Sequence, residues 1–308
     1  MLNKLPQGLD GLIVSSPSNI SYLVNFPSRD SYLLISKKHN IYFTDSRYTE
    51  EASYKLEKSI GLEKINGNSF ELIAKGCLDL GLKRIGFEER HISFAAYTAI
   101  RKNLSKKAKL IRTVGLIEEL RQLKKEKELS KIRKAVEVAA KAFKFIKTYI
   151  RPGIREIELV AELEKFIRYQ GAFSSSFPII AASGPHSSLP HHISGSRKLR
   201  QDEPVLIDMG VDCSGYKSDL TRVFFLGKIN SLAQDIYDIV KEAQQRAIEG
   251  VRRGEKISKI DKLARQYITK KGYGAYFVHN TGHGIGLEVH EEPNISVKNK
   301  GVLKAGMV

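Results

Sequence analysis

The 308-residue chain carries 51 lysine and arginine residues against 34 aspartate and glutamate, a formal net charge of +17. At 42% hydrophobic and 28% charged residues it has the composition of a folded globular protein, long enough for two domains with separate cores, and no run approaches the ~18 apolar residues of a membrane span. The N-terminal segment, with one early lysine and an apolar stretch from Leu9 to Val14 broken by Asp10 and Gly11, is too short for a signal peptide; Cys77 and Cys213 lack metal-type spacing and read as reduced thiols of a cytoplasmic protein.

In chain order, residues 11–16, 31–36, 40–44 and 84–88 are rich in β-branched and aromatic side chains and read as strands. Between them, residues 49–58 and 70–82 carry helical spacing, with Leu72, Ile73, Cys77 and Leu80 on one face. Strands alternating with helices predict a small α/β domain. From Arg101 to Lys134 thirteen Lys/Arg stand against four Glu, over half of the net charge, without a single aromatic residue. A nucleic-acid surface would interleave aromatics for base stacking. The stretch reads instead as a solvated helical face, with Glu118, Glu119, Glu126 and Glu128 as partners at helical spacing. The domain boundary falls near 112–125, dividing the chain into 1–118 and 119–308.

Residues 126–150 form a long amphipathic helix, with Ile132, Ala135, Val136, Ala139, Ala140, Phe143, Ile146 and Ile150 recurring at three and four, stopped by Pro152 and Gly153. Further helices are predicted near 155–170, 232–252 and 258–271, the last with Ser258 as its N-cap and Gly272 just past its end. The remaining segments are β-like and do not alternate regularly with the helices, so the second domain reads as α+β. No internal repeat is visible.

Residues 204–227 hold two strand runs, each with an acid, around the turn-forming Asp212, Cys213, Ser214 and Gly215. A hairpin centred between Cys213 and Ser214 sets Asp208 directly opposite Asp219, with Cβ atoms ~5 Å apart on one face. Two carboxylates so placed share a proton or a cation; a bulge, or pairing of Asp219 with Arg222, would remove the need for either. Five of the eight histidines could contribute to one site: His279, His283 and His290 within twelve residues, and His191 and His192 after a loop that also contains His186. Gly282, Gly284 and Gly286 argue against a helix there and for a strand or loop closely approached by backbone or ligand. Carboxylate and imidazole donors without thiolate suit Zn, Mn, Co or Fe.

These residues resemble a known family. VLIDMG (205–210), SDLTR (218–222) and HNTGHGIGLEVHEEP (279–293) resemble the pita-bread metallopeptidases, and their wording is most like the proline-specific branch, as is SGPHSSLPH (183–191). NISYLVNF (19–26) and DSRYTEEA (45–52) resemble the creatinase-like amino-terminal domain. The resemblance implies an α+β chain, a creatinase-like α/β domain followed by a pita-bread domain lacking its last strands. It implies that Asp208, Asp219 and His283 are metal ligands, with Asp219 bridging two divalent ions (manganese first, cobalt or zinc otherwise). It makes His191, His279 and His290 the catalytic, non-ligand histidines. The activity implied is an Xaa-Pro aminopeptidase acting on peptides with proline second, with Xaa-Pro dipeptidase (prolidase) or a non-catalytic binding domain as alternatives. The expected setting is a cytoplasmic homodimer without specific nucleic-acid or membrane partners. The family also has two glutamate ligands downstream of a segment like GMV, whereas the last acid here is Glu292. The expectation is therefore a truncated form of a longer parent, with little activity and at most weak or single-ion metal binding.

Overall fold

The β-rich runs of the first third pair into one sheet. The computed structural model describes residues 5–308; residues 1–4, with the early lysine of the signal-peptide argument, lie outside the described residues. The chain divides between Leu120 and Arg121 into two units.

In the first unit the elements run β1 (Gly11–Val14), α1 (Pro17–Val24), β2 (Ser31–Ser36), β3 (Asn40–Thr44), α2 (Thr49–Lys55), β4 (Ile60–Lys64), α3 (Ser69–Asp79), β5 (Arg84–Glu88), α4 (Phe94–Leu104) and β6 (Lys109–Thr113). The sheet order is β4-β3-β2-β1-β5-β6, mixed in direction: β1–β2 and β2–β3 are antiparallel, the rest parallel. Alternation along β1 sends Leu12 and Val14 into a core with α1, and Ile13 into a second core with α3 and α4. Both faces are thus covered, which is why the strands read as continuous apolar runs. Glu88, buried at the end of β5, accepts from the backbone N–H groups of Ser15 (2.6 Å) and Ser16 (2.8 Å) at the start of α1, a carboxylate at a helix N-terminus.

The basic stretch is not one helical face. It crosses the end of α4, β6, α5 (Leu116–Arg121) and the start of α6 (Glu126–Tyr149). Nor is it wholly solvated. Arg121 and Lys124 in the second unit have side chains 3% and 1% exposed, both paired with the buried Glu291 at 2.6 and 3.1 Å. Periodicity suggested a helix through this region, but the β-branched residues of β6 pair with β5 instead.

The second unit contains two helix pairs. α6 and α7 (Glu156–Tyr169) cover strands β7 (Ser174–Ser175), β8 (Ile180–Ser183), β9 (Glu203–Met209), β10 (Val211–Cys213), β11 (Tyr216–Lys217) and β12 (Leu220–Leu226). α8 (Ser231–Gly250) and α9 (Ile257–Lys270) pack with β14 (Glu291–Ile295), the partner of β13 (Gly282–Gly284). The buried stripe of α6 is Ile132, Ala135, Val138, Ala139, Ala142, Phe143 and Ile146; Val136 and Ala140 face solvent, because the true stripe drifts with the 3.6-residue period. The cap of α9 is Lys256 and not Ser258, which lies inside the first turn; Gly272 follows the helix at φ +90° as predicted.

A repeat that the residues conceal is present in the backbone. Before α7, Gly153 N–H donates to Leu199 O, Leu199 N–H to Ile154 O and Glu156 N–H to Arg197 O. Before α9, Gly254 N–H donates to Leu303 O, Leu303 N–H to Glu255 O and Ile257 N–H to Gly301 O. The two halves share hydrogen bonds made by main-chain groups, which leave little trace in side-chain identity.

Glu291 has its carboxyl held below the usual glutamate range: burial pushes it up, but Arg121 and Lys124 outweigh this. Glu291→Gln strands two buried cations and should cost about 3–5 kcal/mol at neutral pH, read as a fall in the denaturation midpoint. A lowered folded-state pKa gives stability that is present above the unfolded value and lost as pH falls through the folded one. The gap between wild type and variant should therefore narrow once pH drops below about 4.

Candidate metal centre

Strand β9 delivers Asp208 and the residue just before β12 is Asp219. The hairpin joining them is in a different register from that expected. Cys213 faces Tyr216, Asp212 faces Lys217 and Asp208 faces Thr221. The turn is the two-residue Ser214–Gly215, both at positive φ (55° and 85°), a conformation that matches hairpin twist. Asp212 Oδ1 accepts from Gly215 N–H at 2.8 Å and fixes it. The centre moves by one residue and the pairing by two, so Asp208 and Asp219 are diagonal neighbours on one face and not directly opposite. Gly210 is required beside them: a Cβ there would collide with Ser218 O.

Thr221 Oγ1 donates to Asp208 Oδ1 at 2.7 Å. The Asp208 carboxyl is pushed above its ordinary range, chiefly by burial and further by the charge of Asp219, against the Thr221 hydrogen bond. His283, on β13 between two glycines, approaches Asp219 Oδ2 at 3.4 Å. Its pKa is raised by that contact, with burial opposing, while the Gly284 carbonyl, 3.0 Å from Nδ1, adds to the rise. His290 stands with its ring 4.2 Å from that of His283. Ligand atoms of Asp219, His283 and His290 all lie within 4.8 Å of one another.

A cavity of about 550 Å³ opens beside this group, lined by Asp208, Asp219, His191 and His290 and by Phe177, Pro178, Ile180, Ile193 and Val289. The structure does not gather all five expected histidines. His279 is exposed, its Nδ1 on Asn280 O at 2.8 Å and its ring against Phe277. His192 turns to Glu156 together with His186. Sequence reasoning also missed Thr221, whose signal is its cross-strand position, and Glu156, which reads as one of many acids in a first helical turn. The donor set, hard oxygens and imidazoles on a partly apolar wall with carboxylates that repel, fits a divalent cation. Asp219, His283 and His290 are the donors gathered closely enough to hold one, with Asp208 diagonal to Asp219 on the neighbouring strand.

Residues 130–308 match the model of metallopeptidase family M24, and residues 6–123 match the creatinase/prolidase N-terminal domain. The chain belongs to metallopeptidase family M24. It is 36% identical over 301 residues to the uncharacterized peptidase YqhT of Bacillus subtilis, covering 98% of this chain and 85% of that protein. Among solved structures it resembles an Xaa-Pro dipeptidase from Bacillus anthracis (TM-score 0.93, 40% identity, 97% of this chain and 84% of that one). It also resembles an X-Pro aminopeptidase from Thermotoga maritima MSB8 (TM-score 0.87, 33% identity, 97% and 86%). The fold expected from the resemblance, a creatinase-like domain followed by a pita-bread domain, is the one observed. The comparisons do not support the expectation that the chain is a truncated form.

Because Thr221 orients Asp208, Thr221→Val should weaken Mn²⁺ binding by about tenfold, measured by electron paramagnetic resonance of free Mn²⁺, and Asp219→Asn should weaken it further. Unchanged affinity in both variants would remove Asp208 and Asp219 from the ligand set.

Proposed function

We propose that this protein is an Xaa-Pro peptidase that hydrolyses the bond between an N-terminal residue and a following proline. The observation that carries the reading is the meeting of Asp219, His283 and His290 beside a largely apolar cavity whose wall includes Asp208, Asp219, His191 and His290. In this reading Asp208, Asp219 and His283 would hold divalent metal, manganese first and cobalt or zinc otherwise. Bound there, the metal supplies Lewis acidity toward a carbonyl and toward water.

The chain's own side chains do the rest. Phe177, Pro178, Ile180 and Ile193 exclude water and accept apolar substrate surface. His290 and His191 face the same cavity and are placed to hold the scissile carbonyl and to hand a proton to the leaving nitrogen. A bond before proline lacks the N–H that general peptidases engage, and proline's fixed φ presents a rigid, apolar ring. Such a ring is matched by a wall of this kind. His279, away from the cavity, has no part in this scheme unless its loop moves. Cytoplasmic location and a homodimer belong to the same proposal; no helix among the described residues is long and apolar enough to cross a membrane.

Two readings of substrate length stand side by side. The sequence motifs are shared by both, an aminopeptidase that takes longer peptides being the first expectation and the dipeptidase its alternative. The 40% identity to an Xaa-Pro dipeptidase favours a site restricted to dipeptides. The discriminating experiment gives the metal-loaded protein Ala-Pro, a longer peptide beginning Ala-Pro, and the same peptide with alanine second. Cleavage of both proline substrates supports the aminopeptidase, and cleavage of the dipeptide alone supports the dipeptidase. Equal cleavage of the alanine peptide would sink both. His290→Asn and His191→Asn should each lower kcat by about 10²–10⁴-fold.

A further inference from the structure

A second donor cluster lies in the second unit, apart from the metal centre proposed above, although one of its members, His192, also lines the cavity. Glu156, the first residue of α7, has a side chain with no exposure at all. His186 Nδ1 lies 3.0 and 3.2 Å from its two oxygens, and His192 Nε2 lies 2.8 Å from Oε2. The two rings face each other at 4.2 Å, and one donor atom from each of the three residues falls within 4.8 Å of the others. Among the described residues, the ion-pair partners of Glu156 are these two imidazoles. The nearest guanidinium, Arg197, reaches Ser183 Oγ at 2.6 Å and spends its other end on Glu203.

We infer that Glu156, His186 and His192 form a transition-metal site of the zinc class, separate from the one at Asp208, Asp219 and His283. Two nitrogens and one carboxylate are the donors of an open three-ligand site, with a fourth position left for water. The nitrogen donors exclude calcium and magnesium as preferred ions. The nitrogen-to-carboxylate separations of 2.8–3.2 Å lie close to the edge of about 3.3 Å that a tetrahedron with bonds near 2.05 Å requires, and the two nitrogens lie within 4.8 Å of one another. The carboxylate is already oriented: Ser183 donates to Oε1 through both its N–H and its hydroxyl at 2.8 Å, and Gly195 N–H approaches Oε2 at 3.5 Å. Such outer contacts characterise built metal sites. The His186 side chain is 35% exposed and provides the entry path. An ion there ties the segment after β8, which carries His191, to the N-terminus of α7.

The test uses Zn²⁺ in equilibrium dialysis, and Co²⁺ as a spectroscopic probe, on the Asp219→Asn/His283→Asn double variant, which disables the other centre. One ion per chain should remain bound, with a visible Co²⁺ d–d band of a low-coordinate nitrogen/oxygen site. Adding His186→Asn or His192→Asn should weaken Zn²⁺ binding at least about tenfold and abolish the band. Zn²⁺ should raise the melting temperature of the double variant and leave that of the triple variants unmoved, a readout that also shows each variant to be folded. Absence of bound ion in the double variant, or binding undiminished by His186→Asn and His192→Asn, would overturn the inference and leave the two imidazoles as hydrogen-bond partners of Glu156 alone.

Discussion

Two neighbouring residues at positive φ, Ser214 and Gly215, set the register of the hairpin that carries both acids of the metal centre. Register in a hairpin follows from its turn, and the side-chain period of two means that only even shifts keep a residue on its face. Here the turn keeps Asp208 and Asp219 on the same face while separating them by a diagonal step, which leaves room opposite Asp208 for Thr221. A directly opposed pair would have left Asp208 without that donor. Gly210 completes the arrangement, because the strands draw so close at Ser218 that no side chain fits. The candidate metal centre is therefore a consequence of a turn four residues away from the nearer acid.

Around this hairpin, buried acids fasten loops to helix starts. Glu156 gathers Ser183, His186 and His192. Asp261, buried on α9, binds Arg265 and accepts from Thr281 Oγ1 at 2.8 Å, holding the chain just before β13 and His283. Glu291 on β14 pairs with Arg121 and Lys124 and accepts from Glu288 N–H, fixing the chain on either side of His290. Burying a carboxylate is costly unless it is fully hydrogen-bonded. These carboxylates are, and Glu156 and Glu291 each lie within a residue of a side chain at the cavity. Their contribution is to placement: loops rich in glycine would otherwise sample many conformations.

Much of this was legible in the sequence, and the parts that were not share a physical cause. Strands β2, β3 and β5 were readable from β-branched and aromatic runs, and α6 from its stripe, since both signals come from burial against one core. Asp219, His283 and His290, which the structure brings together, were singled out because each sits in a short motif dense in glycine, acid or histidine. The turn was misplaced by one residue because Asp212 through Gly215 are all good turn formers, and only the backbone φ values choose among them. His186 and His192 were not separable from His191 by composition. Strand alternation sends neighbouring residues apart, but these lie in a loop, where direction depends on the partner that each one finds. The partner, Glu156, is distant in sequence and looks like an ordinary first-turn acid. The concealed repeat before α7 and α9 was carried by main-chain hydrogen bonds, to which side-chain identity is almost blind.

The electrostatics of the chain and of its centre run in opposite directions. The net charge of +17 favours anionic encounters at long range, yet the cavity itself presents Asp208 and Asp219. A substrate with a free amino terminus meets carboxylates there, and an apolar wall beyond them. The surplus of lysine and arginine between residues 101 and 134 does not extend this preference into the cavity, since Arg121 and Lys124 are consumed by Glu291. Selectivity must therefore come from the few groups that line about 550 Å³ of space. His192 is among those groups while also bonded to Glu156. The second donor cluster and the reaction cavity thus share one side chain, so that whatever holds His192 also shapes the wall against which a substrate rests.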